Sequence, residues 1–368
     1  MTTTTFSINR KVLREELALL VTVLAKKSTI PVLESVMMGW DERLTLTASS
    51  LDITMISEVE LPAALTVEHD AFCLPLRELH RLVSLFECED VSFTIDRDGK
   101  GAGRILVQGG KSKHKLPFWE VEEYPKLDVV SHPQTFTVSD GLIAALTRII
   151  PCASSEDNCP AWQYGVQFEG GEDGLTLAAS DSHRLGYETI KGTAPTFSIL
   201  ASAVGLKPLL GMEDGSVTIE VGSTLIGFQR GPRKVVCHLI EGSLPNWRMI
   251  IPKHSHQVEF NSKAFTSALK RAAVTRDERA NSGMKFTFSS DSLIIETATQ
   301  KGEASEPITI TSNLNGNNIE IGINPDYLNS YLTHAGENVT CELGDSNSWP
   351  LFSENESNFK CVIASMRL

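Results

Sequence analysis

The sequence contains no apolar stretch near the ~20 residues that a membrane-spanning helix needs. Its start, MTTTTFSINRKVL, lacks the apolar region of a secretory signal, because the threonines run straight into a charged segment. Cysteine is sparse and ungrouped: seven residues, at 73, 88, 152, 159, 237, 341 and 361, never form a CxxC pair. An odd, scattered set points to a reducing cytoplasm and away from a disulfide framework or structural zinc. Phosphate and calcium loops are missing too, with no P-loop, no GxGxxG after a strand and no DxDxDG. The best metal spacing, His254-Ser-His256, stands in a connector with no third ligand nearby, so neither metal nor cofactor is expected. Positive charge is scarce: 33 Lys and Arg against 46 Asp and Glu leave a net charge of −13. That balance argues against a protein coated by nucleic acid but leaves room for a locally basic surface.

What is present is an ordinary core-forming composition. At 368 residues and 41% hydrophobic, the chain is long enough for two or three domains. An internal repeat makes the number three. Phe6-Ser7-Ile8-Asn9, Phe136-Thr137-Val138-Ser139 and Val258-Glu259-Phe260-Asn261 each read as a short strand ending in a helix-capping Asn or Ser. Amphipathic runs follow, with Leu13, Leu17, Leu20 and Leu24 at helical spacing in the first, Leu142, Leu146 and Ile149 in the second, and Phe265, Leu269 and Ala272 in the third. Strands are predicted at Leu44, Leu175 and Leu293, and second helices near Pro75, Ala201 and Asn324, with Pro208 shortening the middle one. Further strands follow at Phe93, Val217 and Val339, and each repeat closes on a strand pair. These landmarks predict an α+β chain of three tandem domains, 1–127, 128–252 and 253–368, each with two helices against antiparallel sheets.

Ala178–Leu185, AASDSHRL, is the stretch richest in chemistry. Ser180, Asp181, Ser182 and His183 suggest a hydrolase triad at first sight. Sequence neighbours in extended backbone point to alternate faces, however, and no GxSxG elbow surrounds either serine. The repeat comparison is more informative. The first repeat has Leu51-Asp-Ile-Thr at this place and the third Gln300-Lys-Gly-Glu, so His183 and Arg184 occur once, as a functional rather than a scaffold feature would. Leu244-Pro-Asn-Trp247-Arg248 reads equally as a binding surface or as a linker held down by its aromatic. Basic residues favour the helices: Arg10, Lys11 and Arg14, Arg77 and Arg81, Lys270, Arg271 and Arg276, with Lys27 after the first. Solvated helix faces are the plain reading. Phosphate contact along a duplex, without base readout, is the sharper one.

The chain resembles the bacterial sliding clamps, the β subunits of DNA polymerase III. The resemblance spans essentially all 368 residues and rests on IPVLESV (Ile30–Val36), ASDSHRL (Ala179–Leu185), LPNWRMIIP (Leu244–Pro252) and VIASMRL (Val362–Leu368), in this order over three repeats. It implies a half-ring of three DNA-clamp domains that closes as a head-to-tail homodimer around double-stranded DNA. The protein would be a cytoplasmic processivity factor rather than an enzyme, tethering DNA polymerase III, the clamp loader and repair polymerases through their linear peptide motifs. Matching positions for the peptide pocket are Ser180, His183, Arg184, Leu185, Pro245, Ile250, Asn324, Tyr327, Val362, Ile363, Met366, Arg367 and Leu368. The dimer contact would set Lys111, Lys113, His114 and Leu116 against Val274, Thr275, Glu303 and Glu306. Lys27, Arg77, Arg148 and Lys270 would face DNA.

Several positions depart from the family's pattern. Ser182 stands where Gly is usual, Leu244 where Phe precedes the Pro, Met249 where a basic residue is frequent, and Ala364-Ser365 where a Met-Pro pair is usual. Gln163, Ala280 and Trp349 also differ. An accessory clamp paralogue of plasmid, phage or repair origin, with altered partners, is therefore the alternative within the family. A hydrolase using His183 is the alternative outside it.

Overall fold

The computed structural model describes residues 4–25, 28–40, 43–60, 70–96, 104–155, 158–277, 283–354 and 357–367. Six α-helices are described: α1 Arg10–Val21, α2 Leu76–Leu85, α3 Leu142–Ile149, α4 Ala203–Leu206, α5 Ser262–Ala272 and α6 Pro325–Leu332. The rest of the regular structure is almost entirely antiparallel strand. None of these helices is long and apolar enough to cross a membrane.

Local sequence signals account for the helix ends. Asn9 accepts from the N–H groups of Lys11 and Val12, Asn261 from that of Ala264 and Asn324 from that of Asp326, so three helices start on side-chain caps. The second repeat departs from the expected Ser139 cap. Its helix starts at Leu142 after Gly141, whose left-handed φ of 85° makes the turn that a Cβ would hinder. Pro208 has the predicted effect: α4 stops at Leu206 and continues only as a 3-10 turn, Lys207–Gly211.

Contacts divide the chain into two compact units, residues 1–140 with 204–239, and 141–203 with 240–368. Both cut through the middle repeat, and strand pairing supplies the reason. In the first unit one ladder runs through strands Gln134–Val138, Val217–Val221, Leu225–Arg230, Arg233–Ile240, Ile53–Val59, Leu44–Ser49, Ser35–Trp40 and Asp70–Pro75. It crosses from second to first repeat where Arg233–Cys237 pairs with Ile53–Ser57. In the second unit the ladder runs through Phe197–Ser202, Gly165–Gly171, Gly174–Ser180, Arg184–Lys191, Lys360–Ile363, Leu351–Glu354, Asn338–Leu343 and His256–Asn261. Its crossing, from second to third repeat, lies where Arg184–Tyr187 pairs with Lys360–Ile363.

Each unit has its own aromatic core. Phe6 stacks on Phe93 with centroids 5.0 Å apart and meets Trp40 at 5.1 Å in the first. Phe260 and Phe265 lie 4.5 Å apart in the second, where Tyr331 packs on Phe359 at 5.3 Å. The first crossing also carries a buried ion pair. Glu16 on α1 receives two guanidinium bonds from Arg233, at 2.6 and 3.0 Å, and one from the Ser57 hydroxyl at 2.5 Å.

Two further sheets end in open edges. Strand Ser112–Pro117 pairs only with Arg104–Gly109 among the described residues and is exposed along most of its length. Strand Gly302–Thr309 likewise pairs only with Ser292–Thr299.

Candidate functional site

The AASDSHRL segment is the turn between strands Gly174–Ser180 and Arg184–Lys191, at the second crossing. Asp181 builds that turn. Its Oδ1 accepts the backbone N–H groups of His183 and Arg184 at 3.0 and 2.9 Å, and its Oδ2 accepts Nε of Arg184 at 3.0 Å. Ser180 is buried; its hydroxyl donates to the Arg184 carbonyl at 2.7 Å and accepts the N–H of Ser182 at 3.2 Å. Ser182 itself sits at a left-handed φ of 70°, which explains why glycine suits this position in the family it resembles. Two polar contacts brace the strained residue: it donates to the Asp181 carbonyl at 2.5 Å and accepts from Gln163 Nε2 at 2.8 Å.

None of these bonds joins a serine hydroxyl to the His183 imidazole. The carboxylate engages backbone and guanidinium, and the imidazole stacks on Tyr327 at 6.2 Å and 15°. A hydrolytic triad requires the opposite wiring, so the hydrolase alternative lacks its geometry. Among the described residues no group of His, Cys, Asp or Glu side chains is arranged to hold a metal ion. His254 instead directs Nε2 to the Trp349 carbonyl at 2.8 Å.

Several expected residues converge here. Arg184 lies with its guanidinium carbon 4.6 Å above the Tyr327 ring, a cation–π contact worth about 0.5–2 kcal/mol. Asn324 caps α6, the helix carrying Tyr327, and Arg276 fixes Asp326 on the same turn with two bonds of 2.8 Å. The Ala364 N–H donates to the His183 carbonyl at 2.7 Å, and Met366 pairs with Gly322. The Leu244–Ile250 connector is packed down rather than free. Leu244 and Trp247 are buried with Ala178, Leu185, Leu351 and Val362. Glu169 takes the Trp247 indole N–H at 3.3 Å and pairs with Arg248 at 2.6 Å.

The residues therefore split into a rim and a floor. His183, Pro245, Ile250 and Arg367 are exposed, and Tyr327 and Met366 half-buried. Leu185, Val362 and Ile363 are fully buried and support the rim from beneath, while Ser180 and Asn324 hold backbone. Leu368 lies outside the described residues. Glu169 shapes the site although nothing in the sequence singled it out, and Asp181 and Gln163, noted as a suspect triad member and a departure, act instead as turn and bracing contacts. Asp181 carried a signal, since Asp two or three positions before backbone N–H groups is a turn former.

The other expected residues have mixed settings. Lys27 lies outside the described residues. Lys270 is exposed on α5. Arg77 is exposed, with Nη2 donating to the Ala25 carbonyl at 3.0 Å. Arg148 is not on an open helix face: Glu188 holds it with bonds of 2.6 and 2.8 Å and its side chain is 18% exposed. Lys111, Lys113 and His114 are exposed along one open sheet edge, with Leu116 half-exposed. Glu303 and Glu306 lie on the other, where Arg271 holds Glu306 at 2.6 Å. Val274 is 79% exposed, and Thr275 beside it accepts the Thr299 hydroxyl on its carbonyl at 2.5 Å.

Comparison with known proteins fits this frame. The model of the DNA polymerase III beta subunit, N-terminal domain, matches residues 4–128, and that of its C-terminal domain matches 248–367. The beta sliding clamp of Haemophilus influenzae is 27% identical over 99% of this chain and 100% of its own length. The beta sliding clamp homolog GriR of Streptomyces muensis is 26% identical over 97% and 93%. A crystal structure of the DNA polymerase III subunit beta from Pseudomonas aeruginosa is similar with a TM-score of 0.84 at 25% identity, covering 99% of this chain and 100% of that one.

Proposed function

The chain belongs to the DNA polymerase III beta subunit family, the sliding clamps, and on that premise we propose how its own surfaces perform the work of a clamp. It is a non-catalytic processivity factor of DNA replication. Two copies close head to tail around duplex DNA, each of three domains bounded at 1–127, 128–252 and 253–368. The observation that carries this reading is the pair of open sheet edges. One displays Lys113 and His114, with Lys111 in the turn before it, and the other Glu303 and Glu306. An unpaired edge is a template for another strand, and edges of opposite charge select each other over themselves. Such a heterologous contact closes a ring when the rotation allows it. Arg77 and Lys270 face the DNA, and topology rather than tight phosphate contact retains it.

The rim of His183, Tyr327, Pro245, Ile250, Met366 and Arg367 receives short peptide segments of DNA polymerase III, the clamp loader and repair polymerases in the cytoplasm. A stacked imidazole–phenol wall on a rigid floor is a preorganised anchor of the kind that dominates binding energy. The Gln163–Ser182 contact on this rim, together with the exposure of Met249 and Trp349, favours the reading of an accessory clamp with a narrowed partner set.

The test is retention on DNA after loading. Chains should stay on circular duplex and slide off the linearised form, and light scattering should report about 80 kDa, twice the 40.3 kDa chain. Equal loss from both templates, or a stable monomer at micromolar concentration, overturns the ring.

A further inference from the structure

Two of the seven cysteines lie together beneath the rim. Cys152 ends the 3-10 turn Ile150–Cys152 after α3 and is 3% exposed; Cys361 lies in strand Lys360–Ile363 and is 1% exposed. Gly186 explains how they meet. It is the register partner of Cys361, and a Cβ on Gly186 would stand 2.5 Å from the Cys152 sulfur. Side chains of directly opposed strand residues share a face, with Cβ atoms about 5 Å apart. The missing side chain of Gly186 is thus the space that the Cys152 thiol fills, directly beside Cys361. Each thiol donates to a backbone carbonyl at 3.9 Å, Cys152 to Arg148 and Cys361 to Val362. The adjoining Cys361 thiol and then Arg184 draw the Cys152 thiol below its ordinary value, while Cys152 and burial push Cys361 up. Cys237 shows the contrast: burial alone raises its thiol to about 12.

We propose that Cys152 and Cys361 form an oxidative modification site, a dithiol that hydrogen peroxide converts to a disulfide. Cys152 sulfur attacks one peroxide oxygen and the O–O bond breaks. The departing hydroxide takes the Cys152 proton as water and leaves a sulfenic acid. Cys361 sulfur then attacks Cys152 sulfur, the S–O bond breaks, and hydroxide leaves with the Cys361 proton as a second water. Two thiols are oxidised and one peroxide is reduced to two waters. The cross-link ties the turn after α3 to the strand that leads into Ala364–Arg367, and so stiffens the rim. That last consequence rests on the partner reading above; the cross-link does not.

The experiment uses the full chain treated with dilute hydrogen peroxide, alkylated after denaturation and mapped by mass spectrometry. Alkylatable thiols should fall from seven to five, with one linked pair of peptides holding Cys152 and Cys361. The melting temperature should rise by about 5 °C, because the cross-link restricts the unfolded chain over a long loop. In Cys361→Ser, dimedone should trap Cys152 as the sulfenic acid, while Cys152→Ser should leave Cys361 unmodified. Seven alkylatable thiols in treated wild type, or a link between any other cysteines, overturns the proposal. No DNA or peptide enters the assay, so a failed partner reading leaves its outcome unchanged.

Discussion

The two crossings between repeats are built alike and used differently. At the first, Ser49 accepts the N–H of Leu51, which stands at φ 73°, and the His238 N–H from the neighbouring repeat bonds the Asp52 carbonyl. At the second, Ser180 accepts the N–H of Ser182 at φ 70°, and the Ala364 N–H from the neighbouring repeat bonds the His183 carbonyl. The serine, the left-handed residue two positions on and the incoming backbone bond recur point for point. The side chains after the turn do not. Asp52 and buried Ile53 follow in one; exposed His183 and half-buried Arg184, both stacked on Tyr327, follow in the other. The turn is therefore scaffold, and the side chains placed on it are what differ, a general relation between fold and function. The first crossing invests instead in the buried Glu16–Arg233 pair.

Six substitutions break or sharpen that contrast. Arg233→Ala has the largest expected effect, about 3–5 kcal/mol of stability in urea, because it leaves the Glu16 carboxylate buried with only Ser57 beside it. Arg184→Ala at the second crossing should cost only about 1 kcal/mol, since Asp181 keeps its two backbone N–H bonds. Equal losses from the two variants would erase the distinction between a structural and a functional crossing. Next, His183→Ala should leave the urea midpoint within error while weakening capture of DNA polymerase III about tenfold, a loss of about 1.4 kcal/mol. Unchanged capture would move the groove elsewhere.

The two left-handed residues make a finer test. Leu51→Gly should stabilise the chain by about 0.5–1 kcal/mol by relieving a strained φ. Ser182→Gly relieves the same strain but loses the Gln163 bond, so its melting temperature should stay nearly constant. A gain for both would mean that the Gln163 contact contributes nothing. The smallest effect concerns pH. The Arg276 guanidinium holds the Asp326 carboxyl below its ordinary value of 3.8. A depressed folded-state value stabilises above the unfolded value and is lost as pH falls through the folded one. Acid titration of wild type against Asp326→Asn should therefore converge only below about pH 4; a difference persisting at lower pH would assign it to another cause.

Much of this was legible in the residues. Asn9, Asn261 and Asn324 announced three helix starts, and alternation marked the strands at Leu44, Leu175 and Leu293. Those signals are local, set by capping and side-chain periodicity within a few residues. The candidate site was legible only where a residue type stood out, as His183 and Arg184 did. Glu169 looks like an ordinary polar residue until the fold carries it to Trp247, and Gln163, noted only as a departure, until it meets Ser182. Arg148, expected to face DNA, is bonded to Glu188, a partner 40 residues away that no local pattern announces.

The order of the elements and the turns that end them follow from the chain's own pattern, because each depends on neighbours in sequence. Which strand of one repeat lies beside which strand of the next does not. Edge pairing uses backbone N–H and C=O groups that every residue carries, so its choice is written in packing rather than in residue type. That choice set Arg184 against Ile363 and Arg233 against Ser57, and it drew His183, Tyr327 and Met366 to one rim.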